Sequence, residues 1–533
     1  MTLAQLTENI RCSIYVDADC QVLELSIDSK KKTNRGLYFC IEGTKVDGHD
    51  FYKEAVENGA VALVVSKKFV ESNSGAQVPS SNLALADKQN TGLFSVPYIL
   101  VDNVREALGY IAANFYDNVH KKLSIVAITG TNGKTTTSYI TKSILEFAGK
   151  SVGVIGSNGA TYTENVEVEA KAEAKKQAEA TAEAGAEAKN QAEPQEKFIP
   201  LDLTTPDPIE LHKVLKQMYV SGVRYVVMEA SAHAIALDKL AGMKFINGVF
   251  TNLSQDHLDF FGDMQNYASA KKKLFDYKMI RRAIVNIDDE IGREIAKSAK
   301  VPILTFGSEA ESIVRGSEYV SGVTNSFVLT IGADVREVTL NLSGKFNMYN
   351  ALAAASVAHS LSINIDTIAQ GITRVQSVAG RFNVVSSGGK NVVIDFAHTP
   401  EGMDNLLRAV REIYKGRVIC VFGAGGNRDK AKRPKMGAVA SRLADFSFLT
   451  ADNPRDESVY EIISEIASGF DLDCKYRVVS NRSEAIKQAL ALSNGLDVVV
   501  IAGKGAEDYI EIKGVKTPYN DMEEVEKILN IEQ

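Results

Sequence analysis

Residues 125–137, IVAITGTNGKTTT, set a short β-branched apolar run, a glycine-flanked turn, a lysine and three threonines in immediate succession. A strand that ends at Gly130 and Gly133, where no Cβ intrudes, lets backbone N–H groups curve around an anion. The helix that follows would bring its unpaired N–H groups and positive dipole end to the same place. Gly130, Thr131, Asn132, Gly133, Lys134, Thr135 and Thr136 therefore form a candidate phosphate loop. Lys134 would carry a mobile charge to the β- and γ-phosphates, and Thr135 or Thr136 a hydroxyl to a phosphate-bound Mg²⁺. The spacing departs from G-x-x-x-x-G-K-[ST], which wants glycine at 128, where this chain has Ile128.

A strand-loop-helix of this kind needs a parallel sheet around it, and the chain supplies the material. Its 533 residues suffice for about three domains. The expected division is 1–118, a small α/β module; 119–378, the phosphate loop with strands such as VRYVVMEA, INGVFTNL and RRAIVNI; and 379–533, a second alternation with NVVIDFAH, RVICVFGAGG, FSFLTADNP and LDVVVIAGKG. Strands alternating with helices predict mostly parallel sheets, which bind ligands beyond the carboxyl ends of their strands. One segment breaks the pattern. Residues 166–196 are almost entirely Ala, Glu, Lys and Gln without an apolar stripe, predicting a solvated, partly helical or disordered insertion.

Charge and cysteine usage narrow the function classes. A net charge of −7 with 24% charged residues offers no general basic surface, so no nucleic acid is expected. No apolar run is long enough to span a bilayer and the first residues lack a signal-peptide core, so neither membrane insertion nor export is expected. The five cysteines (Cys12, Cys20, Cys40, Cys420, Cys474) are scattered and never in C-x-x-C spacing, which suits a reducing cytoplasm and argues against a disulfide framework or thiolate zinc site.

Sharper chemistry follows the loop. The strand VRYVVMEAS delivers Glu229 at its carboxyl end, where a single acid is costly unless paired, metal-bound or satisfied by backbone donors. The next strand, VFTNL, leads into SQDHLDFFGDMQNYASAKKKLF, with Asn252, Asp256, His257, Asp259 and Lys271.

With GTNGKTTT, TTPDP at 204–208, MEASAHAI at 228–235, NLSQDHLDFFGDM at 252–264, YASAK at 267–271, GKFNMYNALAA at 344–354, AGR at 379–381, DFAHTPEGM at 395–403, FGAGGNRDKAKRPKM at 422–436, DNPR at 452–455 and AGKGAEDY at 502–509, the chain resembles the Mur ligase family over nearly its whole length. The resemblance implies a three-domain α/β architecture: an N-terminal UDP-sugar-binding domain, a central P-loop-type ATPase domain and a C-terminal Rossmann-like domain for the amino acid. It also accounts for the shortened loop spacing as the family's own form.

The implied activity is ATP-dependent amide formation, in which the γ-phosphoryl activates the D-glutamate carboxylate of UDP-N-acetylmuramoyl-L-alanyl-D-glutamate and a diamino acid amine attacks the acyl phosphate, a step of cell-wall peptidoglycan synthesis. Lys134, Glu229, His257 and Lys271 carry over as catalytic. Thr135, Glu229, His257 and Lys271 would hold two Mg²⁺ ions, Lys271 as a CO₂-derived carbamate. Asn347, Arg381, Asp395 and His398 would contact ATP as the third domain closes on the second about a hinge near 376–380. Ser29, Thr204, Thr205, Ser231, Lys239 and Lys271 are carried over for the nucleotide-linked dipeptide, although Lys30, Ala232, Lys239 and Ala506 depart from the family's usual residues.

DNPR bears on the amino acid. In family members adding meso-diaminopimelate, an arginine in this motif takes the distal carboxylate bidentately. Asp452, Asn453, Pro454 and Arg455, with Arg428, Gly503 and Glu507, therefore imply meso-diaminopimelate. The simpler alternative is that Arg455 caps a loop by pairing with Asp452 or Asp456. Other readings are a lysine-adding synthetase, a folylpolyglutamate synthase-like ligase, which the N-terminal domain and DNPR oppose, and a catalytically silent scaffold of the same fold. Cyanophycin synthetase would need a further ligase domain. A cytoplasmic monomer is expected.

Overall fold

The computed structural model describes residues 1–43, 46–74, 93–164, 195–322 and 325–531. Its internal contacts divide the chain into two units, one of Met1–Ile125, Gly159–Val226 and His233–Phe245, the other of Val126–Asn158, Val227–Ala232 and Ile246–Gln533.

The first unit is built on a five-stranded sheet ordered Ser13–Tyr15, Tyr98–Val101, Ala60–Ser66, Gly36–Phe39, Glu24–Ser26. Its pairs are parallel except at the Ser13–Tyr15 edge. Both faces are apolar: Leu37, Phe39, Ala62 and Val64 enter one core, Tyr38, Cys40, Leu63 and Val65 another. Such continuous burial is what a covered parallel sheet requires. The helix Val104–Phe115 covers the first core, started by Asn103, whose side chain accepts from Arg105 N at 3.0 Å and Glu106 N at 3.2 Å.

The expected insertion over 166–196 needs a correction at its end. Gln195 and Glu196 lie in a strand, Gln195–Ile199, paired antiparallel with Gly159–Glu164 so that Glu164 faces Gln195 and Thr163 faces Glu196. Backbone pairing, which is blind to side-chain polarity, overrides the polar composition there. The remainder of the segment lies outside the described residues.

In the second unit the central sheet runs Asp334–Leu340, Asn325–Ile331, Val314–Val320, Ile303–Gly307, Ala283–Asn286, Asn247–Phe250, Ser124–Thr129, Tyr225–Glu229, Val152–Gly156. From Ser124–Thr129 out to Val314–Val320 the pairs are parallel, and the last two strands fold back antiparallel. The strand Ser124–Thr129 thus has Tyr225–Glu229 on one side and Asn247–Phe250 on the other. The chain crosses from the first of these neighbours to the second, and that reversal of strand order opens a crevice at the carboxyl end of Ser124–Thr129. That is where residues 130–133 sit.

A six-stranded sheet follows, ordered Asn383–Ser387, Lys390–Asp395, Val498–Ala502, Val418–Phe422, Phe446–Leu449, Tyr476–Val478, parallel except for its first pair. Alternation along Val418–Phe422 sends Val418, Cys420 and Phe422 to one core and Ile419 and Val421 to the other. Helices Pro400–Ile413, Lys432–Leu443 and Val459–Ala467 cover the first face, Arg482–Leu492 and Asp521–Leu529 the second. No helix among the described residues is long and apolar enough to cross a membrane.

On the second face a fully buried ion pair locks the end of a central strand. Arg482 donates to Asp521 from Nε and Nη2, each at 2.8 Å, and from Nη2 to the carbonyl of Ala502 at 3.0 Å. Breaking one side of such a pair leaves a charge stranded in the interior. Asp521→Asn is expected to cost about 3–5 kcal/mol in urea denaturation, whereas the paired apolar replacement Arg482→Met with Asp521→Leu should recover most of the loss.

Candidate functional site

The phosphate loop is held open by glycine geometry and by side chains behind it. Gly133 has φ +85° and a Cβ there would meet Asn350 Oδ1 at 2.2 Å; a Cβ on Gly130 would lie 1.9 Å from Thr251 Oγ1. No larger residue fits either place without moving its neighbour. Asn252 braces the loop, its carbonyl accepting from Thr131 N at 2.9 Å and its Oδ1 from Asn132 N at 2.9 Å. The helix Lys134–Phe147 starts at Gly133 with no side-chain cap, so its first N–H groups face the crevice. Lys134 folds over the loop, donating from Nζ to the carbonyls of Gly130 at 3.0 Å and Thr131 at 2.9 Å.

Glu229, at the carboxyl end of Tyr225–Glu229 and 1% exposed, sits beside this helix start. Its Oε1 accepts from Thr135 Oγ1 and from Ser157 N, each at 2.9 Å, and its Oε2 from Ser157 Oγ at 3.2 Å. Arg381 Nη2 donates to the same Thr135 hydroxyl at 2.9 Å, making a chain from guanidinium to hydroxyl to carboxylate. Asp395 supports Arg381 indirectly, taking Phe382 N and Ala397 N at 2.7 Å. Burial pushes the Asp395 pKa up, against the pull of Arg381. A Cβ on Gly156 would stand 2.2 Å from Glu229 Oε1, so the neighbouring strand must carry glycine there.

A second buried carboxylate, Asp256, gathers groups from distant parts of the sequence. Lys432 Nζ donates to its Oδ1 at 2.9 Å, while His257 Nε2 and His398 Nε2 lie 3.3 and 3.5 Å from its Oδ2. Burial by itself would raise the Asp256 pKa, but the hydrogen bond from His398 and the charge of Lys432 hold it well below the usual carboxylate range. Lys271, 1% exposed, donates to the Gly130 carbonyl at 2.8 Å and lies over the Tyr267 ring at 4.4 Å. Burial, then the neighbouring charge of Lys134, press its pKa far below that of an ordinary lysine. Asn347 is buried, its Nδ2 donating to Ser343 O just before its helix at 2.7 Å and its Oδ1 accepting from Asn350 at 2.8 Å.

The DNPR segment lies at the carboxyl ends of the C-terminal strands. Asn453 Nδ2 donates to Glu507 Oε2 at 2.9 Å, and Lys504 Nζ, fully buried, donates to the same oxygen at 2.8 Å. Gly503, with φ +118°, leaves room for Asp452, whose Oδ2 is 2.6 Å from where a Cβ would be. Arg455 pairs with neither Asp452 nor Asp456: its Nε donates to Glu511 Oε2 at 3.1 Å and its Nη1 to Gly426 O at 2.9 Å. A Cβ on Gly425 would lie 3.0 Å from Arg455 Nη1 and 3.5 Å from Arg428 Cγ, so both arginines flank one small residue.

Of the other expected site residues, Ser29, Thr204, Thr205 and Lys239 belong to the first unit. Ser29 Oγ donates to Glu54 Oε2 at 2.5 Å, and Lys239 Nζ pairs with Asp207 at 2.8 Å. Thr205 is buried and Thr204 half-buried. Ser231, in the second unit, is half-buried just beyond Glu229.

Asp256, Lys432, Asn350 and Ser157 were given no role from sequence. Three of them stood inside quoted motifs, in D-H-L-D, A-K-R-P and N-M-Y-N, and only their convergence on the loop singles them out.

Comparison with known proteins agrees with this architecture. Three family models match, described as Mur ligase family, catalytic domain, over 22–116, Mur ligase middle domain over 128–358, and Mur ligase, glutamate ligase domain, over 380–505. A relative from Clostridium acetobutylicum named UDP-N-acetylmuramoyl-L-alanyl-D-glutamate--2,6-diaminopimelate ligase 1 is 38% identical over 96% of this chain and 95% of its own. One of the same name, without the numeral, from Caldanaerobacter subterraneus subsp. tengcongensis is 37% identical over 99% of each. A solved structure of a UDP-N-acetylmuramoyl-L-alanyl-D-glutamate--2,6-diaminopimelate ligase has 25% identity and a TM-score of 0.60 over 99% of both chains. The fold of MurF from Thermotoga maritima, solved with ADP, is similar at a TM-score of 0.57 and 18% identity over 95% of this chain and 96% of that one. The fold, the phosphate loop and these likenesses define an ATP-dependent ligase. The chain belongs to the Mur ligase family.

The loop that carries Arg428 is pinned from behind. Arg433, fully buried, donates to Glu457, Glu465 and the carbonyl of Gly425. The hydrogen bond from Arg433 holds the Glu457 pKa down to about 2, from an ordinary 4.5. A depressed carboxylate stabilises the fold above its unfolded pKa and loses that contribution as pH falls through its folded one. Glu457→Gln should therefore melt below wild type at pH 7, and the gap in melting temperature should close as pH falls from 4.5 to about 2.

Proposed function

We propose that this ligase adds meso-diaminopimelate to UDP-N-acetylmuramoyl-L-alanyl-D-glutamate, consuming ATP, in the synthesis of the peptidoglycan precursor. The observation that carries the reading is Arg455 of DNPR, beside Arg428, in a chain whose full-length relatives are named for this reaction. A guanidinium at that point gives a carboxylate at the far end of the incoming amino acid a bidentate partner, which a lysine side chain would not use.

The residues suit the groups the reaction needs. The uncapped helix start and the glycine-lined loop form an anion cradle for the phosphates. Thr135 and Glu229 offer the oxygen donors that a hard divalent cation takes, and with His257 they would hold Mg²⁺. Lys271 is enclosed, and burial lowers its pKa, which raises the share of the neutral amine that can add CO₂. Carbamylation would turn that cation into an anionic ligand beside the metals. When bound, ATP and Mg²⁺ supply the phosphoryl group and the charge neutralisation that make the D-glutamate carboxylate an electrophile.

The chain's own contribution is orientation and charge. Lys134 moves from the loop carbonyls to the phosphates, Arg381 and Asn347 address the nucleotide, and Asp395 and His398 shape the wall behind it. Ser29, Thr204, Thr205, Ser231 and Lys239 take the nucleotide-linked dipeptide. Asp452, Asn453, Gly503 and Glu507 orient the diamino acid for attack. We place the enzyme in the cytoplasm, working as a monomer.

Phosphate release from ATP should require both UDP-N-acetylmuramoyl-L-alanyl-D-glutamate and meso-diaminopimelate; release independent of either would reject the reading. Arg455→Ala removes charge-assisted hydrogen bonds and should raise the KM for diaminopimelate roughly 10- to 100-fold while sparing the KM for ATP. Turnover should also fall in CO₂-depleted buffer and return on adding bicarbonate, and indifference to bicarbonate would remove the carbamate from the scheme.

A further inference from the structure

Residues 252–257 are held from two sides. The first half is tied to the phosphate loop and to Asp289: Ser254 N donates to Thr131 Oγ1 at 3.0 Å and Leu253 N to Asp289 Oδ2 at 2.8 Å. The second half is taken by the start of the helix Lys432–Leu443. Gln255 Nε2 donates to Asp429 Oδ2 at 3.0 Å, Lys435 Nζ donates to Gln255 Oε1, and Lys432 Nζ donates to Asp256 Oδ1 at 2.9 Å. Asp429, Lys432 and Lys435 are spaced by three, the spacing of neighbours on one helix face, so a single face grips two successive side chains.

His257 comes next, and its backbone registers the grip. Its φ of +57° is a left-handed conformation that a residue other than glycine keeps only where the surroundings enforce it. The Asp256 carboxylate is one such constraint, because the Oδ1 that holds Lys432 also accepts from His257 N at 2.9 Å, and Oδ2 lies 3.3 Å from the imidazole Nε2. Asp256 and Lys432 are both buried, so water does not readily replace either partner. The imidazole placed in this way meets the Tyr267 ring edge-on with centroids 6.0 Å apart, and the same ring carries Lys271 Nζ at 4.4 Å.

We infer that Lys432 is a positioning residue, which acts through Asp256 to fix the backbone and imidazole of His257 for metal binding. The inference rests on the reading of His257 as a Mg²⁺ ligand given above. Lys432 neutralises Asp256 and fixes one of its oxygens; Asp256 in turn fixes the peptide and the ring of the next residue. A carboxylate without that cation would turn toward other donors, and His257 would lose the contact that keeps its strained backbone in place. Because Lys432 stands on the helix that follows the strand Val418–Phe422, the geometry of a ligand in the central sheet is made to depend on the C-terminal sheet being in place.

The test uses the full-length chain with Mn²⁺ as the probe and the non-hydrolysable β,γ-methylene analogue of ATP. The electron spin echo of bound Mn²⁺ should show nitrogen modulation from an imidazole ligand in wild type and lose it in His257→Ala. Lys432→Met should weaken that modulation and raise the Mg²⁺ concentration for half-maximal phosphate release about 10- to 100-fold, the usual loss when the partner behind a metal ligand is removed. Asp256→Asn should do the same, and the double variant should lose no more than the worse single one, since Lys432 acts through Asp256. Lys432→Met strands a buried carboxylate; if it does not fold, the double variant, which strands no charge, carries the comparison. Wild-type modulation and Mg²⁺ dependence in either folded variant would overturn the role given to Lys432, as would losses that add in the double variant. A wild type without nitrogen modulation would overturn the reading of His257 as a ligand, and this inference with it.

Discussion

Charge that cannot be left alone organises the second unit. Lys134, Lys271 and Arg381 converge on the first turn of Lys134–Phe147, a helix end that is itself electropositive. So much like charge in an enclosed space is tolerable only with carboxylates close by, and Glu229 and Asp256 provide them. Each is satisfied from several directions, Glu229 by Thr135 and Ser157, Asp256 by Lys432 and two imidazoles. The surplus of donors over acceptors around the loop is the form an anion site takes, and on the proposed function the phosphates of ATP complete it.

The same arrangement explains why the C-terminal sheet belongs to the site. Arg381 and His398 flank the strand Lys390–Asp395, and Lys432 opens the helix Lys432–Leu443, yet all three bond to groups around the phosphate loop. These three contacts are polar, in contrast to the dry cores on the two faces of the C-terminal sheet. A junction made of charge-assisted hydrogen bonds can be remade when ligand charges arrive, which an interdigitated apolar one does less readily. The lid-type motion implied by the family resemblance is compatible with such a junction.

Much of the fold was legible because strand and helix signals are local. The apolar runs in NVVIDFAH, RVICVFGAGG, FSFLTADNP and LDVVVIAGKG all became buried parallel strands, and GTNGKTTT joined a strand to a helix as read. The polar segment was legible only in composition. Its last residues, Gln195 and Glu196, pair as a strand because a backbone partner was available at Thr163 and Glu164, a fact no composition records. For the candidate site, the motifs named the neighbourhood and the structure named the partners. His257 and Asp256 both stood out in D-H-L-D, but no role followed for Asp256, whose partner Lys432 lies 176 residues later.

Arg455 marks the division between the two kinds of information. The sequence by itself determined the layered α/β fold, the anion-binding loop and an arginine in DNPR, since these depend on periodicity, on glycine's missing Cβ and on short spacing. It left open whether Arg455 pairs within its own loop. Only the tertiary structure decided that its partner is Glu511, 56 residues on, and that Glu229 is shared by Thr135 and Ser157 from two other segments. The reason is physical: a charge is neutralised by whatever lies within a few ångströms, and for residues far apart in the chain that distance is set by how the sheets bring their carboxyl ends together.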